Sequence, residues 1–511
     1  MAHDGGLAQD LRHQPVAVID IGSNSGRLAV YRLDAHGHLR ILASARAALR
    51  LVIEVDDTHN LSDEAIARAM EALRDFRAMA LGAGAVRIAA VATAALRDAA
   101  NSGQLIEQIR RELGIHLEVI DGDREAHYGF LGAVRGLPVE HGFLFDLGGG
   151  SMQVSQFRHR RFVRDWSLPL GSLRLSHTFL HDDPPTQGEI RRLKRYVSDL
   201  IEEAGIPSLK SGDRLVGTGG TVRNLAKMDS RARDYPISRV HGYVLDRKRV
   251  REITSLLAAH RLKKRNALPG LSDERGDSIV GGALTIETLM ERVDAHAIHV
   301  SGQGVREGLA YSLLSEGVPP TRAVREASVA SLTSQFASWN ADSATRRASV
   351  AISLLKALEP RATSQIQEAL AHAARVLDIG RSIDFFNRHE HVADIVVAAD
   401  LNGFSHREIA LFAAIVRGAR AGGSPTKPYD PLLKREDRLP IERAATLLAL
   451  ADDIEERCPP GASVALRCQV RGRDVVVSVP ALAGWRPRDI GSQFERTFGR
   501  TLVVKPGGAK S

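Results

Sequence analysis

Apolar and polar positions repeat with two periods along the first part of the chain. Val16 to Asp20 reads as a short buried strand, Arg27 to Leu33 alternates as a second and Leu39 to Ser44 forms a third. The tight connections between them predict an antiparallel meander. Ser62 is placed as a helix N-cap with Asp63 and Glu64 in the first turn, and Ile66, Met70, Leu73 and Phe76 share one face of the helix that follows. Val86 to Ala92 predicts a strand, Gly103 to Leu113 a helix, His116 to Ile120 a strand and Asp123 to Val134 a helix. This alternation marks an α/β layer.

The pattern breaks at Gly136-Leu137-Pro138 and then starts again. A strand runs from Gly142 through Phe145 into Asp146, Gly148-Gly149-Gly150 turns the chain, Met152 to Phe157 and Arg161 to Ser167 supply two more strands, and helix and strand signals resume. The two strand-turn-strand starts, Asp20-Ile21-Gly22-Ser23-Asn24-Ser25 and Asp146-Leu147-Gly148-Gly149-Gly150-Ser151, occupy matching places, so the pattern is an internal duplication. Beyond Gly317-Val318-Pro319-Pro320 only helical periodicity remains, in Ser349 to Leu358, Gln365 to Leu377, His391 to Ala399 and Ser405 to Arg417. Gly422 to Asp430 reads as a loop or linker, Pro440 to Arg457 as a further helix, and Ala462 to Val479 alternates like a small sheet. The expected domains are residues 14–137, 138–316 and 317–511.

Composition narrows the class. The 511 residues suggest about three domains, and 44% hydrophobic with 25% charged residues excludes a long disordered or fibrous chain. The longest apolar runs, such as Ile409 to Val416, fall short of the roughly 20 residues that cross a bilayer, and Met1 to Gln14 is polar without the apolar stretch of a secretion signal. A cytoplasmic location is the expectation. Cys458 and Cys468 are too few for a disulfide framework and wrongly spaced for a zinc ribbon or redox pair, so both are expected reduced.

Net charge is +8, and Arg457 to Ser511 alone carries ten Lys and Arg against three Asp and Glu, a local +7. That suits a polyanion handled partly by the C-terminal region, and suits equally a solvated basic tail. Aromatic residues make up only 5% of the chain, which is poor in the stacking platforms that single-stranded nucleic acid needs. The expected partner is a flexible anion without bases; no nucleic acid is expected.

Each duplicated turn places a carboxylate, Asp20 or Asp146, at a strand end, followed by residues whose backbone N–H groups can converge on an anion. In one turn these are Ser23, Asn24 and Ser25, in the other Gly148, Gly149, Gly150 and Ser151. Two such turns face to face would grip one phosphate from both sides; either alone also fits an ordinary hairpin. A third cluster, Gly217-Thr218-Gly219-Gly220-Thr221, follows the strand Arg214 to Val216 and opens a helix, whose N-terminus attracts phosphate, although an ordinary strand-to-helix turn has the same signature. There is no G-x-x-x-x-G-K-[ST], and Val222 stands where a G-x-G-x-x-G fingerprint needs its last glycine.

Seven collinear motifs carry a resemblance. They are Asp20 to Ser25, Thr93-Ala-Ala-Leu-Arg-Asp-Ala-Ala-Asn101, Ile120-Asp-Gly-Asp-Arg-Glu-Ala126, Asp146 to Ser151, Gly217 to Thr221, Leu268-Pro-Gly-Leu-Ser-Asp-Glu-Arg275 and Gly304-Val-Arg-Glu-Gly308. Together they resemble the exopolyphosphatase/guanosine pentaphosphate phosphatase (Ppx/GppA) family over residues 16–316. The resemblance implies a duplicated actin-like (ribonuclease H-like) α/β fold, with substrate phosphates held between the halves. It implies magnesium or another divalent metal, and hydrolytic removal of terminal phosphate from inorganic polyphosphate or of the 5′ phosphate of guanosine pentaphosphate. By motif position Glu125 matches the family's catalytic glutamate, which deprotonates the attacking water. Asp146 and its duplicate Asp20 are expected at the metal. Ser23, Asn24, Ser25, Gly148 to Ser151, Arg97 and Arg223 are expected along the anion path, with Gly219, Gly220 and Thr221 at the helix N-terminus. Such a set suffices for phosphoryl transfer, which asks mostly for positioning and charge stabilisation.

Two departures stand out. After the Gly-Gly-Gly-Ser turn the family commonly has Thr-Glu, and this chain has Met152-Gln153, one carboxylate fewer near the expected metal. Where the family has paired acidic residues before its glutamate, this chain has Asp123-Arg124. The third region resembles, more loosely, a helical His-Asp (HD-like) hydrolase domain, but the expected histidine is Leu377, which leaves Asp378 without that partner while His389 and His391 persist. The expectation there is a degenerate site serving packing, dimerisation or polyanion guidance. A homodimer is expected. Exopolyphosphatase is the preferred reading; a guanosine pentaphosphate phosphatase, a sensor whose catalysis has decayed, and an actin-like sugar or acetate kinase are the alternatives.

Overall fold

Hydrophobic residues at every position of the first strand, β1 (Val16–Ile21), except Asp20 require cover on both faces, and both are covered. Ala17, Ile19 and Ile21 pack with Leu28 and Val30 of β2 (Ser25–Leu33) against Met70, Leu73 and Phe76 of the helix Asp63–Gly82. Val16 and Val18 pack on the other side with Leu309, Ala310 and Leu314 of the helix Val305–Leu314. The computed structural model describes residues 12–420, 424–462, 464–479, 482 and 485–506.

With β3 (Leu39–Ala48), β4 (Arg87–Ala92) and β5 (Leu117–Val119) these strands form a five-stranded sheet of order β3-β2-β1-β4-β5. The meander β1-β2-β3 is antiparallel, and β4 and β5 add in parallel. A second sheet repeats the plan. There β6 (Gly142–Leu147), β7 (Met152–Arg158) and β8 (Arg161–Leu168) form the meander, while β9 (Arg214–Gly219), β10 (Val244–Asp246) and β11 (Ala297–Val300) complete the order β10-β11-β9-β6-β7-β8. Phe143, Phe145, Met152 and Val154 pack there with Leu193, Val197, Ile286 and Leu289 from the helices on one face.

The predicted meander and helix-strand alternation are therefore present, with the Ser62 hydroxyl accepting from the Ala65 N–H as an N-cap. Two short helices, Leu51–Thr58 and Ala94–Asp98, were not anticipated: each is too brief for periodicity to register. Both follow the ends of sheet strands.

The chain divides into two compact units, one running to Tyr235 and resuming at Arg239–Ala327, the other comprising Pro236–Ser238 and the residues from Ser328 onward. The second unit contains the helices Ala341–Leu358, Ser364–Val376, Arg388–Ala398, His406–Gly418 and Arg438–Glu456. A three-stranded sheet follows, order β12-β13-β14, from β12 (Arg467–Arg471), β13 (Asp474–Val479) and β14 (Thr501–Pro506). The alternation of Ala462 to Val479 foreshadows the first two of these strands; the third lies beyond it and pairs in parallel with β13 after the helix Asp489–Phe498. In the expected linker, Gly422 and Gly423 lie outside the described residues, and Lys427–Tyr429 forms one 3₁₀ turn with Tyr429 buried. Among the described residues no helix is long and apolar enough to cross a membrane.

Asp378, without its histidine neighbour, is partnered by arginines. The fully buried Arg347 donates from Nη2 to Asp378 Oδ2 at 2.6 Å and from Nη1 to the Ala374 carbonyl at 3.1 Å, and its Nε lies 2.8 Å from Asp452 Oδ1. Arg381 Nε approaches Asp378 Oδ1 at 2.9 Å. His389 and His391 are half-buried, and burial followed by the nearby Arg388 charge pushes the His389 imidazole down to about 4, so it is neutral at pH 7. Guanidiniums thus serve as the cations of this acidic cluster. Removing Arg347 takes one of them from two buried carboxylates that keep Arg381 and Arg388, so Arg347→Met is expected to cost about 3 kcal/mol and to lower the calorimetric transition of this unit. An unchanged transition would contradict that assignment.

Candidate functional site

The duplicated turns share one geometry. Gly22 N–H donates to the Ser25 carbonyl at 3.1 Å, and Gly148 N–H donates to the Ser151 carbonyl at 3.0 Å. Each tip is tied to the start of the next helix. The Asn24 carbonyl accepts from Leu49 and Arg50 N–H, both at 3.0 Å, and the Gly149 carbonyl accepts from Leu173 and Arg174 at 3.0 and 3.1 Å.

The two tips meet. A side-chain carbon at Gly149 would stand 3.2 Å from Asn24 Cβ and 3.3 Å from Ser23 Cβ; one at Gly150 would stand 2.7 Å from Ser23 Oγ and 3.2 Å from Val52 Cγ2. Glycine is needed there for approach.

Between the tips lies a cavity of about 110 Å³. Ser23, Asn24, Ser25, Gly148, Gly149, Gly150 and Ser151 line it, with Asp20 and Asp146 at the strand ends behind them. Glu125, in the first turn of the helix Gly122–Arg135, faces it, as do Gly219, Gly220 and Arg223. Gly219 has φ +101° where the chain passes from β9 into the helix Gly220–Ala232. Two expected residues lie elsewhere. Thr221 is buried where a side chain on Gly282 would stand 2.7 Å from its Oγ1, and Arg97 stands behind Glu125 with Nη1 on the Ile120 carbonyl at 3.0 Å.

Four further charged residues line it: Arg27, Arg275, Arg306 and Glu307. Arg27 sits opposite Asp20 in the β1–β2 register, a place that looks like an ordinary polar position of an alternating strand. The other three fall inside motifs Leu268–Arg275 and Gly304–Gly308, where the signal was present but gave no role to a particular side chain. Arg275 is flanked by anchors. Arg46 lies 2.6 Å from Glu274, and Arg50, left-handed at φ +55°, pairs with Asp277. Glu307 accepts from Tyr31 Oη at 2.5 Å and from the Gly304 N–H at 2.8 Å.

Desolvation acts on both signs of charge here. Burial, and then the Asp146 charge, raises the Glu125 carboxyl to about 8 against the pull of Arg97. Burial likewise raises Asp146 to about 6, opposed by Arg223, and raises Asp20, opposed by Arg306 and Arg27. Burial followed by Arg223 and Arg306 lowers Arg27 to about 9, and burial with Arg46 beside it lowers Arg275 to about 10. Glu307 alone among the lining acids is held low, because Arg306, Tyr31 and Arg223 outweigh its burial. Acids pushed up and bases pushed down in one cavity mean that neither set fully satisfies the other.

Among the described residues no group of three or more His, Cys, Asp or Glu is placed to hold a metal ion. Asp20 and Asp146 offer two hard oxygen donors on the same cavity. That set fits magnesium, which takes one or two carboxylates and completes its shell with water and substrate phosphate. Gln153, at the place of the family's expected carboxylate, is 2% exposed and donates from Nε2 to Ser151 Oγ at 2.9 Å and to Glu125 Oε2 at 3.3 Å.

Comparison with known proteins agrees with this architecture. The profile of the Ppx/GppA phosphatase family matches residues 29–316, and that of Ppx/GppA phosphatase domain III matches residues 324–457. Exopolyphosphatase 1 of Mycobacterium tuberculosis is 30% identical over 320 residues, which cover 61% of this chain and 92% of that protein. The crystal structure of the Aquifex aeolicus member of the Ppx/GppA family is 29% identical with a TM-score of 0.52, covering 59% of this chain and 98% of that one. An exopolyphosphatase from Cytophaga hutchinsonii is 26% identical with a TM-score of 0.54, again over 59% of this chain and 98% of that one. The two α/β halves are therefore the duplicated actin-like fold, and the chain belongs to the Ppx/GppA phosphatase family.

Proposed function

We propose that this chain is an exopolyphosphatase, hydrolysing the terminal phosphoanhydride of inorganic polyphosphate with the help of a divalent cation. The observation that carries this reading is the closure of two glycine hairpins on one cavity that holds Arg27, Arg223, Arg275 and Arg306 beside Glu125. Backbone N–H groups of residues 23–25 and 149–151 bind the terminal phosphate from two sides, and the arginines compensate its charge. Glu125, raised to about 8 by burial and by Asp146, is a stronger base than an exposed glutamate once ionised. It takes a proton from the attacking water as the water oxygen bonds to phosphorus; the bridging P–O bond breaks, and the shortened chain leaves with the electron pair. Magnesium, held by Asp20 and Asp146, would neutralise developing charge on the phosphoryl oxygens. The basic stretch Arg457 to Ser511 favours a long polymer over a nucleotide, because each phosphate neutralised along a chain adds to affinity.

Glu125→Gln keeps the shape and removes the base, so kcat on long-chain polyphosphate is expected to fall about a thousandfold while binding measured by calorimetry stays within about threefold of wild type. Unchanged turnover would remove Glu125 from the mechanism. Phosphate release from polyphosphate is expected to exceed release from guanosine pentaphosphate at equal magnesium; the opposite order would make the nucleotide the substrate. Chelation is expected to abolish release and magnesium to restore it, and Asp146→Asn is expected to weaken Mn²⁺ binding, read by electron paramagnetic resonance, about tenfold or more. Full activity in chelator would overturn the metal assignment.

A further inference from the structure

The duplicated halves differ at one register position beside the cavity. Seven residues beyond the strand-end carboxylate, Asp20 pairs with Arg27 across β1–β2, and Asp146 pairs with Gln153 across β6–β7. Arg27 lines the cavity; Gln153 does not. Its side chain lies behind the second hairpin, and its amide nitrogen bridges Ser151 Oγ and Glu125 Oε2.

The geometry points to Gln153 as the positioning residue that ties the Glu125 carboxylate to the phosphate-binding hairpin and selects which of its oxygens faces the water. This deepens the proposed function and rests on Glu125 being the proton acceptor. Two donors approach Glu125 from behind, and both reach the same atom: Gln153 Nε2 stands 3.3 Å and Arg97 Nη1 3.6 Å from Oε2. Arg97 is itself fixed on the Ile120 carbonyl at 3.0 Å. Oε1 is left as the oxygen that no donor among the described residues holds, and it becomes the atom that takes the proton. The link to Ser151 sets the distance between that oxygen and the phosphate gripped by the hairpin. An error of one ångström there is costly in rate.

The residue type suits the task. A second cation at this place, beside Arg97, would blunt the basicity of Glu125, as the Arg27 charge pulls against the burial of Asp20 in the other half. A neutral amide donates to the carboxylate without cancelling its charge. The nitrogen is the atom turned towards Glu125, where it donates to the carboxylate once Glu125 is ionised.

Gln153→Met keeps the length and bulk of the side chain and deletes the donor. On long-chain polyphosphate, kcat is expected to fall about tenfold with KM within about twofold of wild type. Gln153→His returns an N–H near the place of the amide nitrogen, and is expected to recover kcat to within about threefold. A role in packing alone predicts the reverse, with the Met variant unaffected and the His variant impaired. Thermal midpoints of both variants monitor folding, and if the Met variant is unstable the His variant still decides: a tenfold loss there would overturn the inference. A rise in KM at constant kcat would also overturn it, by moving Gln153 to substrate binding. The outcomes separate from the underlying reading. An inactive Glu125→Gln with an unaffected Gln153→Met sinks the positioning role only, whereas an active Glu125→Gln sinks both.

Discussion

Everything at this site depends on two backbone turns approaching more closely than side chains allow. A methyl group at Gly150 would press on Ser23 Oγ at 2.7 Å, and one at Gly149 on the Asn24 and Ser23 Cβ atoms at 3.2 and 3.3 Å. The approach brings two sets of amides to one cavity, and it is held from outside. Each tip carbonyl accepts a pair of N–H groups at or just before the start of the next helix, so neither turn is free to retreat. Sheet registers, helix starts and the glycine pattern serve that convergence.

The electrostatics follow from it. A cavity closed on several sides desolvates what lines it, and this one contains both carboxylates and guanidiniums. Burial raises Glu125 and Asp146 and lowers Arg27 and Arg275, while Glu307, bonded to Tyr31 and the Gly304 N–H, is the acid whose charge is already met. In the proposed reaction the terminal phosphate engages the arginines and a cation engages the aspartates, so each ligand relieves a charge that burial leaves in tension. The second unit handles the same problem internally: Asp378 and Asp452 are met by Arg347, Arg381 and Arg388 of the same unit.

What the sequence revealed divides along physical lines. The duplication was legible because a carboxylate, a glycine-rich turn and a meander recur as a set, and Asp20, Asp146, Ser23 to Ser25 and Gly148 to Ser151 line the cavity together. Glu125 and Arg223 were reachable through motif position. Arg27 was not, since an alternating strand gives no hint of which polar residue looks into a cleft; Arg275 and Arg306 depend on how distant loops fold back. Thr221 illustrates the converse, for the Gly219 turn brings the helix start to the cavity but aims this side chain towards Gly282. The partner of Asp378 was hidden for the same reason, because Arg347 lies a helix away in sequence. Gln153 was visible as a lost carboxylate, and only coordinates reveal its bond to Glu125.

The most direct test is a crystal structure of the Glu125→Gln protein with magnesium and a short polyphosphate. The account predicts the terminal phosphate between the two hairpins, with backbone N–H groups from both residues 23–25 and 149–151 within hydrogen-bonding distance and the position-125 side chain beside it. A chain end bound to one hairpin alone, or lodged outside this cavity, would contradict it.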